Sequence, residues 1–184
     1  MKNNIKILLY HGVRKIKNTG IQNYSNKHLY ITDFINQIKF IKKNFNIISM
    51  SEVEYLIKKK IEKPYIAVTF DDGFKNNHDI AAEVLDFYKV PTTFYISTAY
   101  IGKKKMFWVD ILEDIFNKKV NDKIEIKLDK NYIFDTSTKL KKIKTLNYVK
   151  SYCKNTIFKE KERVLNYLIK KFNFKNNISI NNSY

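Results

Sequence analysis

The chain has 184 residues and a mass of 22.0 kDa, enough for one ordinary domain with a buried core. Its 44% hydrophobic and 15% aromatic content excludes disorder, and 4 Gly with 2 Pro exclude collagen-like and low-complexity architectures. The formal net charge of +17 raises the question of a nucleic-acid partner, but arginine occurs only at Arg14 and Arg163. The other basic residues are lysine, a point charge without the bidentate fork used to read bases and phosphates. Residues 1–100 carry 15 basic and 9 acidic side chains, and residues 101–184 carry 20 and 9, so the excess lies mainly in the second half. A solvated lysine surface and no nucleic-acid partner are expected. One cysteine, Cys153, excludes an internal disulfide framework and a cysteine-based zinc cage. No apolar run reaches the roughly 20 residues of a membrane span. No signal-peptide-like segment opens the chain, which predicts a cytoplasmic protein.

Ile5 to Tyr10 reads as a short buried strand ended by His11-Gly12. Residues 32–44 read as a helix, with Phe34, Ile38, Ile41 and Phe45 on one face and Thr32 as N-cap. Ile47-Ile48 is a very short strand, and Ser51 to Glu54 fits a capping box for the next helix. Tyr65 to Phe70 is a β-rich run broken by Asp71-Asp72-Gly73. A helix through Ile80, Ala81, Val84, Leu85 and Tyr88 follows, then Pro91 and a strand over residues 92–97. The alternation of strands and helices implies a parallel sheet, as an open α/β sheet or a barrel. Active sites in such folds lie beyond the C-terminal ends of the strands, where residues 10–11 and 70–73 fall. Beyond Gly102 come a helix from Phe107-Trp108-Val109-Asp110, a hairpin around Asp129-Lys130-Asn131, and two lysine-rich amphipathic helices. Residues 1–102 are expected to form an α/β core. Residues 103–184 are expected to be a lysine-rich insertion or cap of the same domain, with a frayed tail at 176–184.

Asp71-Asp72-Gly73 is the sharpest chemical feature. Successive strand residues face opposite ways, so two adjacent carboxylates converge only where the strand breaks, and Gly73 permits that turn. Converging carboxylates repel unless a cation or proton sits between them. This suggests a metal site in which one Asp binds the ion and the other acts as a base; the alternative is a surface turn. His11, on the same end of the sheet, could touch substrate or ligand, or be a packed rim residue. His28 reads as exposed in a polar loop, and His78 as structural or exposed. Trp108 either lines a sugar pocket or packs in a core. Cys153 reads as a small core residue.

Taken in order, Leu8 to Val13, Phe34 to Ser51, Val68 to Phe74, Val90 to Ile96 and Phe107 to Asp110 resemble the polysaccharide deacetylase family, the NodB-homology domain. The resemblance covers about residues 5–115 well and the rest loosely. It implies a distorted (β/α) barrel, represented here by its N-terminal part with parallel strands, plus a helical and hairpin insertion. It also implies hydrolysis of N-acetyl groups on a sugar or surface-glycan precursor. Asp71 would be the catalytic base and Asp72 a ligand of a divalent metal, zinc or a similar ion. His11, Gly73 and Trp108 would lie near the substrate. The partner would be an N-acetylated carbohydrate. The family's second motif supplies two metal-binding histidines, and the sequence has no counterpart of it or of the later motifs. The chain is therefore expected to be a truncated domain, inactive by itself and weak in zinc binding. The alternative is a non-catalytic carbohydrate-binding pseudoenzyme. Part of a barrel would leave a free strand edge through which copies could associate.

Overall fold

The computed structural model describes residues 5–60, 63–102, 106–118 and 122–174, which form two units. One holds residues 5–17, 26–60 and 63–102, and the other residues 18–25, 106–118 and 122–174. The predicted tail at 176–184 and the lysine run at 103–105 lie outside the described residues.

The first unit runs β1 (Ile5–Tyr10), β2 (Gly12–Arg14), β3 (His28–Tyr30), α1 (Ile31–Asn44), β4 (Asn46–Ile47), α2 (Met50–Leu56), β5 (Tyr65–Phe70), α3 (Glu83–Phe87) and β6 (Thr92–Phe94). A π-helical turn, Asn77–Ala82, leads into α3. Strand β5 is the centre of a parallel sheet. β1 runs along one of its edges from Ile5 opposite Tyr65 to Tyr10 opposite Phe70. β4 pairs with the start of the other edge and β6 with its end. Sheets covered on both faces need apolar residues at consecutive positions, and Ile66 to Phe70 are all buried. On one face α1 presents Phe34, Ile38 and Ile41 to a core containing Tyr10, Val68 and Phe70. On the other, Val53 of α2 meets Ala67 and Ile48.

Several boundaries differ from expectation for local reasons. Helix α1 begins at Ile31, after Tyr30, without a side-chain cap, so Thr32 lies inside it. The capping box is Ser49–Glu52, not Ser51–Glu54. Glu52 N–H donates to Ser49 Oγ at 3.3 Å, and Ser49 N–H donates to Glu52 Oε2 at 2.7 Å. Both serines have the required Glu three residues on. Starting at Ser49 places Val53 in the helix body, against Ala67. Ser49→Ala is expected to cost about 1 kcal/mol in urea melts. Strand β6 ends at Phe94, because the chain then curls over the acidic turn, with Ser97 N–H donating to Asp72 O at 3.2 Å. The pair β2–β3, parallel with Gly12 opposite His28, leaves no mark in the sequence, because three-residue strands show no usable periodicity.

The second unit contains α4 (Trp108–Lys118), β7 (Lys123–Lys127), β8 (Asn131–Asp135), α5 (Lys139–Lys154) and α6 (Phe158–Lys171). β7 and β8 are an antiparallel hairpin in which Ile124 and Ile126 point inward between lysines and a glutamate. Leu112, Ile115, Phe116, Leu146, Val149 and Leu168 are buried. Cys153 is buried too, which pushes its thiol pKa up to about 11. Residues 18–25 are tied to α4: Ile21 N–H donates to Asn117 Oδ1 at 2.9 Å and Asn23 N–H to Glu113 Oε1. Among the described residues no helix is long and apolar enough to cross a membrane.

Candidate active site at the ends of the parallel strands

The apolar run of β5 stops at Phe70, but its ladder continues one step: Asp71 N–H donates to Tyr10 O at 2.9 Å. The chain then turns through two left-handed residues, Asp72 and Gly73, each with φ of 73°. Glycine adopts this conformation freely, whereas Asp72 bears a steric cost that its short polar side chain reduces. A second constraint holds Gly73. A Cβ there would come within 2.8 Å of Ile96 Cγ2. The sequence pointed to Gly73 as the turn former; the left-handed Asp72 was not legible.

This turn lifts Asp72 toward the end of β1. His11 Nε2 lies 4.0 Å from Asp72 Oδ2, and both side chains are 36% exposed. Asp71, half-buried, follows Phe70 in the strand register beside Tyr10 and His11. The structure thus brings His11, Asp71, Asp72 and Gly73 to one end of the sheet. Trp108 belongs to the second unit, where it opens α4 and has Lys161 Nζ 5.7 Å from its ring centroid.

His28 was expected at the surface and is instead buried, with 8% of its area exposed. The cause is close packing of β2 on β3. Gly12 lies opposite His28, and a Cβ on Gly12 would fall 2.1 Å from His28 Nδ1. That ring nitrogen is 3.0 Å from Asn76 Nδ2, and Phe74 meets the imidazole edge-on at 4.7 Å. Burial lowers the His28 pKa to about 3, with the charges of Lys27, Arg14 and His11 acting in the same direction. A neutral imidazole therefore packs behind both the His11–Gly12 and the Gly73–Asn76 stretches. Gly12 was the one sequence hint of this close approach. His78 is exposed, 3.1 Å from Asp79 Oδ1.

Among the described residues no three His, Cys, Asp or Glu side chains gather as a metal site. Asp72 and His11 offer two donors, whereas zinc sites use three or four protein ligands. These two residues alone do not make up the donor set of a zinc ion.

Residues 58–128 match the polysaccharide deacetylase family model. The matched stretch includes β5, Asp71, Asp72 and Gly73. Poly-β-1,6-N-acetyl-D-glucosamine N-deacetylase of Staphylococcus aureus strain N315 is 28% identical over 124 residues, 60% of this chain and 42% of the relative. The chain thus spans less than half the length of the curated deacetylases it matches. Among solved structures, IcaB from Ammonifex degensii is similar at 20% identity and a TM-score of 0.46, over 59% of this chain and 47% of that one. A polysaccharide deacetylase from Bacillus cereus is similar at 25% identity and a TM-score of 0.42, over 59% and 34% of the two chains. The deacetylase-like stretch of this chain is a mixed α/β structure with parallel strands.

Proposed function

We propose that this chain carries the acid-turn portion of a metal-dependent carbohydrate deacetylase, acting on N-acetyl groups of a sugar or surface-glycan precursor. In this reading the parallel sheet is part of a distorted (β/α) barrel and residues 103–184 are its insertion. The observation that carries it is His11 beside Asp72, at the strand ends, next to the family-matched Asp71-Asp72-Gly73 turn. The names of the Staphylococcus aureus relatives support an N-acetylhexosamine as the sugar.

Deacetylation cleaves the acetamide C–N bond with water. Asp71, half-exposed at the end of β5, is the group that takes the proton of the attacking water. The oxyanion that forms needs hydrogen-bond donors or a cation, and the leaving amine needs a proton. Asp72 and His11 are the donors on offer to a divalent ion, and two donors hold such an ion weakly.

The chain alone, supplied with zinc and a β-1,6-linked N-acetylglucosamine tetramer, is expected to release no acetate. Calorimetry should show weak zinc binding that Asp72→Ala weakens by about tenfold or more. Vigorous acetate release abolished by a chelator would contradict the incomplete donor set, and zinc binding indifferent to Asp72→Ala would contradict the site. The shortage of donors also favours a second reading, a carbohydrate-binding domain without catalysis. Tight sugar binding by a chain that binds no zinc would select it.

A further inference from the structure

We propose that Tyr95 is a sugar-contacting residue of this site, its ring lying against the apolar face of an N-acetylhexosamine and its phenol bonding a sugar hydroxyl. The sugar class rests on the proposed function; the placement of Tyr95 does not. Across the sheet Tyr10 lies opposite Phe70, and Phe70 opposite Phe94. The three rings of this row stack in turn, Tyr10 to Phe70 at 5.2 Å and Phe70 to Phe94 at 5.2 Å. One residue further the ladder still holds, with Asp71 N–H on Tyr10 O at 2.9 Å and Tyr95 N–H on Phe70 O at 2.7 Å. His11, Asp71 and Tyr95 therefore form the next row, with strands about 4.8 Å apart. Alternation puts that row on the face opposite the ring stack.

Tyr95 is 49% exposed in this row, one strand from Asp71 and two strands from His11. On the same face of β1, two and four residues before His11, Leu9 is 54% exposed and Ile7 50%. The polar end of the sheet thus continues into uncovered apolar surface. A pyranose ring matches this pairing, since it presents C–H faces bordered by hydroxyls. Tyrosine meets both with one side chain, an apolar ring and a polar tip.

The test titrates the chain, by calorimetry and aromatic NMR, with the β-1,6-linked N-acetylglucosamine tetramer and with the corresponding glucose tetramer. The N-acetylated tetramer is expected to bind and to shift the Tyr95 ring resonances. Tyr95→Ala should weaken binding by about five- to tenfold, and Tyr95→Phe, which keeps the ring, by about threefold. Amide spectra of both variants report whether the fold is kept, and the milder Phe variant decides if the Ala variant unfolds. Binding with unchanged Tyr95 resonances and wild-type affinity in Tyr95→Phe overturns the role of Tyr95 and leaves the functional reading standing. No binding of the N-acetylated tetramer at millimolar concentration, or equal binding of the glucose tetramer, overturns both.

Discussion

Acidification from about pH 7 to about pH 4 is expected to destabilise the first unit by about 3 kcal/mol through His28 alone. Its pKa is 6.5 without perturbation and about 3 in the fold, because the ring is buried between β2 and the residues after the acidic turn. Between these two values the unfolded chain binds the extra proton and the folded chain does not. Stability is therefore complete above the unfolded pKa and is lost as pH falls toward the folded one. Lys27, Arg14 and His11 act in the same direction as burial and so enlarge that loss. His28→Gln keeps an amide that can meet Asn76 but cannot take a charge. It is expected to lower stability at neutral pH and to flatten the acid limb. Hydrogen exchange of the β5 amides as a function of pH reads this directly, since β5 is the centre of the unit. Equal acid slopes in the two proteins would show that His28 is not the titrating group.

Phe70→Ala is expected to cost about 3–5 kcal/mol, a large part of the roughly 5–15 kcal/mol that holds an ordinary domain folded. Phe70 is fully buried and contacts three rings: Tyr10 at 5.2 Å, Phe34 at 5.8 Å and Phe94 at 5.2 Å. Its removal leaves a cavity that strands on both sides and α1 cannot close together. The defect lies one residue before Asp71, so the row His11–Asp71–Tyr95 loses its footing and sugar binding should fall with stability. Phe70→Leu retains most of the volume and should cost less than about 2 kcal/mol. Urea denaturation of both variants checks the order. A loss below about 1 kcal/mol for Phe70→Ala would mean that the ring stack does not organise the sheet.

Much of the first unit was legible because its signals are long or chemically marked. The runs Ile5 to Tyr10 and Tyr65 to Phe70 are mostly apolar, interrupted only by Lys6 and Thr69, and form the paired strands. The spacing of Phe34, Ile38 and Ile41 became the buried face of α1. The acidic turn was legible because a glycine directly after an apolar strand and two short polar residues marks a break in the chain, which a surface turn shares. What escaped depends on contacts distant in sequence. His28 looked like a loop residue because nothing near it reveals that Gly12 makes room for its ring. The value of Tyr95 lies in its register with Asp71, which no local pattern encodes. The anchoring of residues 18–25 to Glu113 and Asn117 likewise spans about ninety positions of sequence.

We propose that the ends of β1, β5 and β6 form one carbohydrate site organised around Asp71 and Asp72. Amide NMR mapping with the N-acetylglucosamine tetramer tests it most directly. The predicted result is a set of shifts confined to residues 10–12, 71–74 and 93–97, reduced in Asp71→Asn and absent with the glucose tetramer. Shifts confined to the second unit, or the same shifts with both sugars, would contradict it.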